Sequence, residues 1–310
     1  MIQIIQSLMV ISLICNLSCT SQEREVPKQT PLLSSLTGKS GSAILRCGSK
    51  SSEVNWIVHN ENADTKRFAI ILGGSPVTKY LSDSSRGAQT LVASMIDKDL
   101  KVFELRYPLP KGFYDACHGE GMEHIVRHAG EIYDLSQKVL GFDPNNSQHK
   151  IVGAGYSIGA IKLQAMAFIL GKRIDQVALT GVLMGDVTKG CRHYLNDIKD
   201  GYSWYFFHNY AALVTKDLQG CHSDKELNEK LNFENLPHAR EWSLGLFEGT
   251  ALNLSSKNAP ANPDQAQYIW QKRKDLNAPV ELKTYEGCGH ELFECTQGKV
   301  VKDMVDFLTK

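Results

Sequence analysis

Residues 67–74, RFAIILGG, follow Arg67 with an unbroken apolar run that ends on two glycines. Such a run has no polar face to offer water, so as a strand it must be covered on both sides, which is the situation of a central strand in a parallel sheet. KVFELRY (101–107), HKIVGAGY (149–156), QVALTGVLMG (176–185), WSLGLFEG (242–249) and PVELKTYEG (279–287) read as further strands. Helical patterns separate them. DSSRGAQTLVASMI (83–96) has Asp83 or Ser84 as its cap, and residues 121–141 carry Ile125, His128, Ile132, Leu135 and Leu140 at helical spacing with Gly141 as a stop. IGAIKLQAMAFILG (158–171), PDQAQYIWQKRKDL (263–276) and GKVVKDMVDFLTK (298–310) are the other helices. Strands alternating with helices predict crossover units and an α/β fold: a mostly parallel, doubly wound sheet flanked by helices on both faces. AILRC (43–47) and VNWIVHN (54–60) add strands ahead of it, and a polar stretch at about 187–240 interrupts it as a cap insertion.

Thirty-four basic residues balance thirty-four acidic ones over 310 positions, which excludes the broad basic field of a nucleic-acid binder. No fixed-period repeat and no heptad run is present, so neither a solenoid nor a coiled coil is expected.

The first eighteen residues, MIQIIQSLMVISLICNLS, carry no charge and precede a polar segment. They read as a secretory signal over residues 1–19, though without the usual Lys or Arg near Met1; an uncleaved anchor is the alternative. NLSC, ending at Cys19, resembles the lipidation box of bacterial lipoproteins except that Asn16 stands where Leu is usual. The expectation is an exported protein, with a membrane tether through a lipidated Cys19 as an added possibility. Residues 20–42 read as a tether and 43–310 as the folded domain. Six cysteines remain beyond the signal, an even number that suits disulfides, and proximity in sequence pairs Cys288 with Cys295 and Cys191 with Cys221. No CxxC pair or close His/Cys cluster implies a metal site, and no organic cofactor is implied.

The chemistry is carried by KIVGAGYSIGAIKLQ (150–164), which places Ser157 between Gly155 and Gly159 where a strand becomes a helix. Side chains at those two glycines would collide with a neighbouring strand or helix, and the turn strains the serine backbone while leaving its hydroxyl clear of the surface. A serine hydroxyl needs a base, and His290, in YEGCGHELF directly after the last strand, is positioned to reach the carboxyl edge of the sheet. The N–H of Ile158 and that of Gly74, in LGGSP (72–76), suit an oxyanion, with Ser75 the near alternative and a substrate neighbour.

In that order, LGGSP, GAGYSIG and GCGHELF make the chain resemble the α/β-hydrolase fold family over about residues 43–310. The resemblance implies esterase, lipase, thioesterase or peptidase chemistry through an acyl-enzyme, with Ser157 as nucleophile and His290 as base. The third member departs from the family's pattern, because Leu252 stands where many relatives carry Asp. Asp186, after VALTGVLMG, is the first substitute, Glu248 the second and Asp264 a more distant third. Trp204 and Phe206, within YSWYFFHNY of the insertion, either line an apolar substrate pocket or pack the core of the cap. The expected reaction is hydrolysis of a small-molecule or lipid-like carboxylic ester. Acyl transfer, peptide cleavage, and a binding protein that kept the fold without turnover are the rivals.

Overall fold

A computed structural model describes residues 38–47, 50–74, 78–108, 122–181, 240–251 and 263–310. Eight strands form one sheet: β1 (Gly38–Cys47), β2 (Lys50–His59), β3 (Arg67–Leu72), β4 (Lys101–Arg106), β5 (Lys150–Tyr156), β6 (Gln176–Thr180), β7 (Ser243–Gly249) and β8 (Val280–Tyr285). Their order is β1-β2-β4-β3-β5-β6-β7-β8. β1, β2 and β4 pair antiparallel, and every pairing from β4 through β3 to β8 is parallel. The apolar run at 67–74 is thus β3, flanked by β4 and β5 and buried from Phe68 to Leu72, as a strand covered on both faces must be.

Helices α1 (Arg86–Asp97), α2 (Met122–Leu140), α3 (Ile158–Gln164), α4 (Pro263–Asp275), α5 (Leu292–Cys295) and α6 (Lys299–Leu308) cover the two faces. On one face Ile132 and Tyr133 of α2, Leu163 of α3 and Ile269 of α4 pack with Ile70, Phe103 and Leu246. On the other, Leu91 and Met95 of α1 and Val301 and Met304 of α6 pack with Ile71, Val152 and Phe247. Beyond Gln164 the helix widens at Ala165–Ile169, where the N–H of Leu170 donates to the carbonyl of Ala165 at 3.1 Å.

Three local expectations are corrected. α1 is capped by Ser85, whose hydroxyl accepts from the N–H of Ala88 at 3.1 Å; Asp83 belongs to a tight turn, Leu81–Asp83, that precedes the helix. The strand expected over 176–185 stops at Thr180, because Gly181 turns to a φ of +63°. Asp186 lies outside the described residues. β1 begins at Gly38, inside the segment expected to be tether.

Candidate active site

β5 delivers Ser157 to the carboxyl edge of the sheet, and α3 begins at the next residue. Ser157 has a φ of +55°, a left-handed conformation that a residue bearing a Cβ rarely adopts. The surrounding backbone holds it there: its N–H donates to the carbonyl of Thr180 at 3.0 Å, and its carbonyl accepts from Ala160 at 2.9 Å. Both flanking glycines are sterically required. A Cβ on Gly159 would fall 2.1 Å from the carbonyl oxygen of Leu72, and one on Gly155 would fall 2.8 Å from Cα of Ala160. Gly74, beyond β3, approaches the same corner so closely that a Cβ there would lie 2.7 Å from the Tyr156 ring and 3.1 Å from Cβ of Ser157. The expectation that the serine stands clear of the surface is not met, since Ser157 is only 2% exposed.

His290 follows β8 in a loop bounded by Cys288 and Cys295, whose sulfurs lie 2.00 Å apart with Cα atoms at 5.7 Å. This is one of the two expected pairs; the other, Cys191 with Cys221, lies outside the described residues. The imidazole is 7% exposed and lies over the end of β6, where a Cβ on Gly181 would fall 2.5 Å from its Cε1. The Tyr156 ring packs against it with centroids 5.0 Å apart. Burial lowers the proton affinity of His290 below the usual histidine value, and the charge of Glu291 acts in the opposite direction.

Glu248 is fully buried at the end of β7, opposite Thr284 of β8. Strand alternation sets it on the face of Leu246 rather than that of Phe247. Ser75, Asp186, Trp204, Phe206 and Leu252 lie outside the described residues, and of Asp264 only the backbone, in the first turn of α4, is described.

Sequence reasoning missed Tyr156, Gly181 and Glu291. Tyr156 donates from its hydroxyl to Oε1 of Glu291 at 2.7 Å, joining the residue before Ser157 to the residue after His290. Its only sequence signal was its place inside the Gly-x-Ser turn. Adjacency to His290 was the corresponding signal for Glu291.

No family model matches the sequence, and no curated protein matches it. Solved structures do. A lipase in its open form is 14% identical, with a TM-score of 0.56 over 87% of this chain and 98% of its own. A thermostable carboxyl esterase from Bacillus coagulans is 11% identical, with a TM-score of 0.55 over 88% of this chain and 98% of its own. A peroxisomal α/β-hydrolase from Saccharomyces cerevisiae is 10% identical, with a TM-score of 0.50 over 88% and 89%. The strand order, the helices on both faces, the strained corner at Ser157 and these likenesses agree: this chain has the α/β-hydrolase fold.

Proposed function

We propose that the chain is a serine hydrolase that cleaves carboxylic esters through an acyl-enzyme. The observation that carries this is the positive φ of Ser157 at a corner where neither flanking glycine has room for a side chain. Such strain at a serine, at the point where a strand turns into a helix, is what presenting a nucleophile at the sheet edge requires. Ser157 Oγ attacks the ester carbonyl while His290 takes its proton, and His290 returns that proton to the leaving alkoxide. The N–H groups of Ile158 and Gly74 stabilise the oxyanion, and water releases the acyl group by the same route. Asp186 holds the neutral tautomer of His290, with Glu248 as the alternative. If Trp204 and Phe206 line a pocket and not the core of the cap, the substrate has an apolar acyl or alcohol portion, and Ser75 is a further candidate for contact with it. The uncharged N-terminal segment supports export, and Cys19 supports a lipid tether at a membrane surface.

Leu252 favours one rival, a binding protein without turnover. A fluorophosphonate probe separates the two, because only a serine coupled to a base reacts stoichiometrically. Wild type is expected to take one label, mapped to Ser157, and to hydrolyse nitrophenyl esters. Ser157→Ala takes none and loses at least about a thousandfold in kcat. A folded wild type that takes no label at Ser157 removes the enzyme reading.

A further inference from the structure

Tyr156 touches the three segments that carry Gly74, Ser157 and His290. It precedes Ser157 in the corner, its ring lies 5.0 Å from that of His290, and Gly74 approaches it too closely to carry a side chain. It also packs edge-on against Phe293 of α5, with centroids 5.8 Å apart. Its hydroxyl donates to Glu291 at 2.7 Å, across 135 positions of sequence, and Glu291 is covalently adjacent to His290. The loop is held from its other side too, where the carbonyl of Cys288 accepts from Ala251 at 2.9 Å, and within itself, where the carbonyl of His290 accepts from Leu292 at 3.0 Å.

We propose that the Tyr156–Glu291 hydrogen bond is a latch that fixes the His290 loop against the serine corner, making both of them positioning residues for the base. This rests on the serine-hydrolase reading. A base works only when its nitrogen is held within hydrogen-bond reach of the hydroxyl, and the loop that carries this base comes from a different strand from the nucleophile. The latch is a side-chain hydrogen bond that joins β5 directly to that loop. The tyrosine ring and Gly181 bound the imidazole, and the hydroxyl adds direction along the sheet edge by gripping the next residue.

The test uses the full chain, nitrophenyl butyrate and the fluorophosphonate probe, at pH 8, where His290 is neutral in every variant. Tyr156→Phe keeps the ring and removes only the hydroxyl, and Glu291→Ala removes the acceptor. Each is expected to lower kcat and the labelling rate about ten- to a hundredfold with KM within about twofold, since a misplacement of about 1 Å costs on the order of a hundredfold. The double variant is expected to be no worse than the worse single one, because both break the same bond. Glu291→Gln, whose amide oxygen still accepts from Tyr156, recovers most of the loss. Unchanged kcat in both single variants overturns the latch, as do losses that multiply or a loss confined to KM. Should a Glu291 variant fail to fold, Tyr156→Phe decides alone. A wild type labelled at Ser157 alongside unaffected variants removes the latch and leaves the hydrolase, whereas an unlabelled wild type removes both.

Discussion

An imidazole as buried as that of His290 loses hydration whenever it carries a charge, and burial is the larger of the two influences on its proton affinity; the charge of Glu291 is the smaller, opposing one. Under the proposed mechanism His290 must be neutral to accept the serine proton, so activity is expected to fall as pH drops through its pKa. With that pKa below the ordinary histidine value of about 6.5, the acid limb of kcat/KM is expected below pH 6.5. Glu291→Gln removes the influence that raises it, so the limb moves lower still while kcat at pH 8 stays close to wild type. Rate profiles of both proteins from acid to neutral pH check this, and a limb above the ordinary histidine range, or one that Glu291→Gln moves upward, contradicts it. At this scale the sequence was a good guide where backbone collision is the constraint. Gly155 and Gly159 are legible because Leu72 and Ala160 approach them as any such corner requires. Gly181 is not, because its lack of a side chain matters only for an imidazole arriving from beyond β8, and a one-dimensional pattern carries no trace of that meeting.

Elements were legible where periodicity dominates. The continuous run at β3 and the helical face of α2, with His128, Ile132 and Leu140 buried, depend on burial that repeats along the chain. Ends were less legible, because a cap or stop is decided by one residue's dihedral angle. Ser85 is extended and caps α1, while the preceding turn uses up Asp83 and Ser84, the N–H of Ser84 donating to the carbonyl of Leu81 at 2.9 Å. That turn also anchors the far side of the loop carrying Gly74. The fully buried carboxyl of Glu104, on β4, accepts from the N–H of Ser82 at 2.9 Å and from its hydroxyl at 2.6 Å. It also meets Nε2 of His59, on β2, at 2.9 Å. Leu81 of the same turn packs under Gly73, so the network ties three elements to the loop. Glu104→Ala leaves these groups buried without their partner and is expected to destabilise the fold by on the order of 2–4 kcal/mol. Urea unfolding measures it, and a loss under about 0.5 kcal/mol, the range of an ordinary surface change, would show that the network holds nothing.

Across the whole molecule, the sheet order explains why distant segments meet. Parallel strands β3, β5, β6, β7 and β8 all end at one edge; the loops carrying Gly74 and Ser157 leave neighbouring strands, and the His290 loop leaves β8 at the far side and reaches back over the end of β6. The alternation of strands and helices made that edge legible in advance, whereas the contacts that tune it, between loops of different strands, were not. The His290 loop is the exposed point of this arrangement, since it leaves β8 and must hold its position between the latch to Tyr156 and the pair Cys288–Cys295. Closing so short a loop adds only on the order of 2–3 kcal/mol to global stability, while His290 lies inside it. Replacing both cysteines, Cys288→Ser with Cys295→Ser, is therefore expected to cost more in function than in folding. The unfolding midpoint should fall by roughly 3–5 °C, as 2–3 kcal/mol does in a chain of this size. At 25 °C, with the protein still folded, the labelling rate at Ser157 should fall about tenfold, because the base is held less closely. Circular dichroism and labelling on the same samples separate the two effects. If labelling declines only in step with the unfolded fraction, the pair serves the fold as a whole and not the position of His290.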